Sequence, residues 1–303
     1  MQLARRCQIV SYIRQLAFRR QLHLATLAQA VRPKHSQFSF QLDARIKGAQ
    51  PRAQEHAKHT EPRTRGPEEH KKPRRAQLLA RMNGLPPSKH YNLTHYQQRY
   101  NWDCGLSCII MILSAQQREQ LLGNFDAVCG EEGFGSSTWT IDLCYLLMRY
   151  QVRHEYFTQT LGIDPNYAQH TYYSKIIDKD ERRVTRKFKD ARAHGLRVEQ
   201  RTVDMEVILR HLARHGPVIL LTNASLLTCE VCKRNVLEKF GYAGHYVVLC
   251  GYDMAAQKLF YHNPEVHDGH ICRCLIESMD TARRAYGTDE DIIFIYEKKE
   301  TRE

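Results

Sequence analysis

The chain has 303 residues, ten cysteines and a formal charge of +12, a length that suits one large domain or two small ones. The charge is lopsided: residues 1–90 hold 19 Lys and Arg against 5 Asp and Glu, a net of +14, whereas 91–303 carry a net of −2. This distribution excludes a nucleic-acid reading of the core drawn from overall basicity, and no run of about 18 apolar residues offers a membrane span.

Residues 1–85 form a basic N-terminal extension that cannot bury enough apolar surface to order itself. No acidic residue precedes Asp43, and Arg5, Arg6, Arg14, Arg19, Arg20 and Arg32 alternate with apolar residues. Three readings stay open: a start-site artefact or dispensable extension, with the compact chain opening at Met82, a mitochondrial targeting segment in 1–40, or a basic binding arm. No secretory signal is visible, so the cysteines are read as reduced in an intracellular protein, cytoplasmic or nuclear unless the targeting reading holds.

A single domain is expected over 86–300. "YNLTHYQ" from Tyr91 reads as a short strand, and Gly105 to about Gln117 as a helix capped by Asn101 or Asp103. A Gly-rich loop follows at 130–137. "WTIDLCYLLMRY" has helical apolar spacing, and "VRHEYFTQT" has strand character. A charged amphipathic stretch from Ser174 closes at Gly195. "LRVEQRTV" reads as a strand and "DMEVILRHLARHG" as a helix with Asp204 as cap. "PVILLTNA", "HYVVLCGYD", "KLFYHNP" and "DIIFIYEKK" are four further strands. Helices precede most strands, which predicts an α+β domain with helices packed on an antiparallel sheet.

The chemistry concentrates in "HYQQRYNWDCGLSCIIMIL" from His95. A cysteine nucleophile needs a helix N-terminus or a neighbouring cation to favour the thiolate, a general base and an oxyanion donor. Cys104 opens the predicted helix, and Gly105 beside it allows a substrate carbonyl to approach. Gln98, six residues upstream, offers a side-chain amide. His245 opens a strand and serves as base, while Asn263, at the end of the next strand, can hold the imidazole through Nδ1–H. Taken singly, Cys104 reads as a small buried hydrophobe, His245 as a satisfied core or surface histidine and Asn263-Pro264 as a turn. The joint pattern carries the reading. Cys108, one helical turn on, reads as core. Cys229-Glu230-Val231-Cys232 with Cys272-Arg273-Cys274 offers four thiolates to zinc, against a plainer reading as reduced, partly buried cysteines; no metal or cofactor enters the expected site. Asp289, Glu290 and Asp291 in "GTDEDI" read as a solvated acidic turn.

The Asp-Cys-Gly with its upstream Gln, followed far downstream by "GHYVVLCGYD" and "NP", is similar to the papain-like C39 peptidase group. More closely, "YNWDCGLSCIIMIL", "STWTIDLCYLLMRYQVRHEYFTQTLGID", "GHYVVLCGYD" and "AYGTDEDIIFIY" resemble the guanylyl cyclase domain containing family, called guanylylate cyclase in plants, over roughly 90–298. The resemblance implies a papain-like fold with Cys104 as nucleophile, Gln98 at the oxyanion and His245 as base; Asn263 falls where the C39 group has Asp. It also implies formation of cyclic GMP from GTP, a reaction that calls for Mg²⁺ or Mn²⁺ on the triphosphate. Two other expectations stand beside that one: hydrolysis of a peptide, isopeptide or thioester, and a non-catalytic module that binds a protein partner.

Overall fold

"VILLT", "YVVLC" and "IIFI" are unbroken apolar runs, the pattern of strands buried on both faces. They form the centre of one sheet, with helices on either side. The computed structural model describes residues 84–135, 137–164, 167, 177–232 and 242–297, all within the unit 64–303. The N-terminal extension, residues 84 and 85 excepted, lies outside them.

The strands are β1 (Ser88–His90), β2 (His154–Thr158), β3 (Val198–Gln200), β4 (Val218–Asn223), β5 (Gly244–Asp253), β6 (Lys258–His262), β7 (Cys272–Leu275) and β8 (Ile292–Ile295). Their order is β3-β2-β8-β4-β5-β6-β7, and β1 adds to β5. The helices are α1 (Cys104–Ile112), α2 (Ala115–Gly123), α3 (Phe125–Glu132), α4 (Thr140–Arg149), α5 (Ile177–Asp190), α6 (Met205–Arg214) and α7 (Ile276–Arg283). The fold is therefore α+β, as the element order predicts. The sheet is mixed, not purely antiparallel, because β2 and β3 pair in parallel. That pairing is possible because α5 separates the two strands in the chain and supplies the long crossover a parallel pair needs.

Alternate residues of the central strands feed two cores. Ile219, Leu221, Tyr246, Val248, Ile293 and Ile295 pack with α1 to α4. On the opposite face Val218, Leu220, Val247, Leu249, Ile292 and Phe294 pack with α6 and α7. No helix among the described residues is long and apolar enough to cross a membrane.

Several local expectations change. The first strand lies at Ser88–His90, and 91–98 is irregular. The expected helix from Gly105 to Gln117 is two helices: Ser114 caps α2, its backbone N–H bonding the Gln117 side chain at 3.0 Å, so a capping box breaks the run. Residues 130–132 of the supposed Gly-rich loop are the end of α3. Strand β7 and helix α7, which no pattern in the sequence announces, close the sheet edge and the second core. Helix α1 carries Ile109, Ile110 and Ile112, whose β-branching costs a few tenths of a kcal/mol each. Burial of Ile109 and Ile110 at 0% exposure returns about 2 kcal/mol apiece, so packing decides the conformation.

Candidate active site

Cys104 is the first residue of α1 and is 7% exposed. Its approach is built by Asp103, whose carboxylate accepts from the backbone N–H of Arg99 at 3.0 Å and of Tyr100 at 2.9 Å. Asp103 occupies the cap position but makes no side-chain cap bond. The first amides of α1 therefore face the site without a side-chain acceptor, and an N-terminus of that kind favours negative charge. Thr138 Oγ1 donates to the Trp102 carbonyl at 2.8 Å and fixes the other end of the loop. Gly105 is required for packing. A Cβ there would sit 2.9 Å from both Leu143 Cδ1 and Thr138 Cγ2, so the glycine lets α4 approach α1.

His245 is the second residue of β5 and is 6% exposed. Thr222 Oγ1 donates to its carbonyl at 2.9 Å. Asn223 Oδ1 accepts from Ala243 N–H at 3.2 Å, tying the end of β4 to the chain entering β5. The ring Nε2–H donates to Asn263 Oδ1 at 2.8 Å. Asn263 follows β6 and is held in turn, its Oδ1 also accepting from Glu265 N–H at 3.0 Å. The Cys104 side chain lies near enough to the same imidazole to act on its charge. With Nε2 committed to Asn263, Nδ1 is the nitrogen left for sulfur, the reverse of the expected assignment. Burial works against a charged ring here, but the neighbouring Cys104 side chain, then Glu265 and Asn263, outweigh it and raise the His245 pKa above its ordinary value.

Gln98 is brought to the Asn263 turn through its backbone, its N–H donating to the Pro264 carbonyl at 2.9 Å. Its side-chain Nε2 donates to the Tyr100 carbonyl at 2.8 Å, inside its own loop, so one amide hydrogen is committed locally. Cys108 is fully buried, and burial, then the neighbouring Cys104, pushes its thiol well up. Glu265, which no sequence motif singles out, contributes to the charge on His245; its place two residues past Asn263 is the one signal that could have marked it.

The "GTDEDI" turn is not solvated. Asp289 and Glu290 take left-handed backbone, φ 48° and 50°, which directs Asp289 inward onto Thr160 Oγ1 at 2.9 Å and Tyr167 OH at 2.8 Å. Asp291 is 6% exposed and accepts from Tyr156 OH at 2.8 Å and from Thr140 Oγ1. Burial, then the charge of Asp289, pushes the Asp291 carboxyl up to about 7. A raised carboxyl contributes stability that is complete below its unfolded pKa of about 4 and is lost as pH rises through about 7. Asp291→Asn is thus expected to remove that slope. Between about pH 5 and pH 8, urea denaturation should show the wild type losing on the order of 3 kcal/mol relative to the variant. Parallel stability curves would mean that Asp291 holds no extra proton in the folded state.

The three cysteines Cys229, Cys232 and Cys272 have their sulfurs within 4.8 Å of one another. Cys274, expected as the fourth of that set, is not part of this group; it is fully buried in the second core.

A thiol at a helix start, an imidazole on a central strand and an amide on the next strand's end define a mixed α+β domain with a Cys–His–Asn cluster. A family model described as Guanylylate cyclase matches residues 93–295, and the chain belongs to that family. Guanylyl cyclase 1 of Arabidopsis thaliana is 32% identical over 222 residues, covering 70% of this chain and 78% of the relative.

Proposed function

We propose that this domain is a papain-like cysteine hydrolase in its chemistry and fold, acting on an amide, isopeptide or thioester carbonyl. The observation that carries the reading is the His245 ring, bonded to Asn263 at 2.8 Å, with the Cys104 side chain close enough to act on its charge. In the acylation step the Cys104 sulfur attacks the carbonyl carbon and the oxygen takes up the electron pair. The Cys104 backbone N–H and the second amide hydrogen of Gln98 donate to that oxyanion. Collapse expels the leaving amine or thiol, which takes its proton from His245, and an acyl thioester remains on Cys104. Water then gives a proton to His245 and attacks the thioester, releasing a carboxylic acid and the free thiol. Asn263 keeps Nε2 occupied so that Nδ1 handles every proton.

The name of the Arabidopsis relative supplies a second reading, a nucleotide cyclase. A triphosphate-bound divalent ion needs free carboxylate oxygens, yet both oxygens of Asp291 accept hydroxyls, from Tyr156 and Thr140, and Asp289 Oδ1 accepts two more, from Thr160 and Tyr167. The two readings separate in one experiment. Purified protein incubated with an activated thioester is expected to gain the acyl mass on Cys104, and Cys104→Ala to gain none. Acylation spread evenly over the cysteines, or unchanged in Cys104→Ala, defeats the hydrolase reading. Cyclic GMP formed from GTP and Mn²⁺ equally by wild type and Cys104→Ala would favour the cyclase.

A further inference from the structure

Two short sequence signals remain unused: the Cys-x-x-Cys knuckle at 229–232 after β4, and His270-Ile-Cys272 leading into β7. They meet at the sheet edge. Cys232 Sγ lies 3.2 Å from Cys272 Sγ, and the sulfurs of Cys229, Cys232 and Cys272 fall within 4.8 Å of one another. His270 Nε2 approaches the same point, 3.3 Å from Cys232 Sγ and 3.7 Å from Cys272 Sγ. We infer that Cys229, Cys232, Cys272 and His270 form a structural zinc site.

The geometry suits the ion. Ligand atoms bound at about 2.0–2.3 Å in a tetrahedron lie roughly 3.4–3.8 Å from each other; the separations among Cys232, Cys272 and His270, 3.2, 3.3 and 3.7 Å, lie about that value, while His270 stands outside the 4.8 Å group of the three sulfurs and must draw in toward Cys229 on binding. At 3.2 Å the sulfurs of Cys232 and Cys272 are not joined as a disulfide, whose bond is about 2.05 Å. Three thiolates and one imidazole form a closed ligand set, which is structural in character because no position is left for a reacting water. The other ring nitrogen of His270, Nδ1, is held by Asp268 Oδ1 at 2.5 Å, which aims Nε2 at the sulfurs in the manner of a carboxylate behind a metal-bound histidine. The knuckle is formed without the ion: Cys232 N–H donates to Cys229 Sγ at 3.3 Å, as a chain turning back over a thiolate does. It is anchored by Glu230 N–H on the Arg273 carbonyl at 3.0 Å and by Lys258 Nζ on Glu230 at 2.8 Å.

The site joins two segments far apart in sequence. One precedes His245, and the other follows Asn263, so the ion would fasten both chains that enter the candidate active site. Loading displaces thiol protons, hence it strengthens as pH rises. The inference does not depend on the hydrolase reading.

The test is elemental analysis of full-length protein expressed with zinc in the medium and purified without chelator. About one zinc per chain is expected. In Cys232→Ser and His270→Ala it is expected to fall below about a tenth of that, with Cys274→Ala retaining it. Cobalt exchanged into the wild type should give the intense visible bands of a tetrahedral ion and thiolate charge transfer, which requires no variant to fold. Folded wild type that takes up neither zinc nor cobalt overturns the site, as does a Cys232–Cys272 disulfide in the non-reduced peptide map. Full zinc with an unchanged cobalt spectrum in His270→Ala removes His270 from the ligand set and overturns the assignment.

Discussion

Replacing His245 by Gln is expected to slow alkylation of Cys104 by iodoacetamide on the order of 100-fold at about pH 6, with the deficit shrinking toward pH 9. The glutamine keeps most of the volume and can still bond Asn263, but it cannot carry a proton. In the wild type, burial alone would strip the charge from this ring, yet Cys104, Glu265 and Asn263 reverse that and raise the pKa. A free imidazole loses its proton near 6.5, so the charged ring persists here to higher pH. A positive charge beside a sulfur assists its attack as a nucleophile, and that assistance matters least at alkaline pH. The same shift has a stability consequence with a definite sign. The contribution of His245 is complete below about 6.5 and is lost as pH rises through its folded value. Asn263→Ala should produce a smaller loss, about tenfold, since the ring keeps its chemistry and loses its tether. Second-order alkylation rates, with the Cys104 adduct resolved by peptide mass spectrometry, measure all of this. Equal rates for wild type and His245→Gln at the acid end would show that the ring does not activate the sulfur.

How much of this is readable from the chain depends on the range of the interaction concerned. Strands β4, β5 and β8 are legible because burial on both faces writes itself as contiguous apolar residues. The pairing of His245 with Asn263 is legible too, since a hairpin is local: Val248 faces His262 across β5 and β6, and Asn263 is the next residue. Which ring nitrogen Asn263 engages is not, because it turns on a side-chain rotation that no residue pattern encodes. The buried acids mislead a sequence reading for a different reason. Asp291 meets Thr140 and Tyr156, 151 and 135 residues away, and such distant hydroxyls leave no mark beside the carboxylate. Strand β7 escapes notice because four residues, Cys-Arg-Cys-Leu, alternate too briefly to show a period. Spacing alone groups its two cysteines with each other, when only Cys272 joins Cys229 and Cys232. His270 stands two residues before Cys272, so the His-x-Cys spacing is visible, but its meaning requires the knuckle to fold against it.

Gly251→Ala is expected to destabilise the domain by about 3 kcal/mol, and the sign is the informative part. In an open strand position this exchange would leave stability unchanged or improve it by up to about 1 kcal/mol, because alanine restricts the unfolded chain. At Gly251, however, a Cβ would stand 2.2 Å from the Lys89 carbonyl oxygen and 3.0 Å from His90 Cα. These are backbone atoms and cannot rotate aside. Strand β1 pairs there through Lys89 with Tyr252 and His90 with Gly251, while β5 shifts register against β6 between Leu249 and Gly251. The crowded strand cannot yield toward β6 without disturbing that irregularity, so β1 must move away. Its departure would also strain the bond from Tyr91 OH to the Leu212 carbonyl, 2.8 Å long, that docks the following loop on α6. That loop runs on through Gln98 to Cys104, whereas β5 carries His245, so the seam joins the two halves of the candidate site. Alkylation of Cys104 should therefore slow in Gly251→Ala even where the protein remains folded. A control separates crowding from any general effect of the exchange: at Gly130, inside α3, a Cβ would meet nothing within 4 Å, and Gly130→Ala is expected to gain about 0.5–1 kcal/mol. Urea midpoints for the two variants moving in the same direction would show that the β1–β5 seam is not held by the missing side chain.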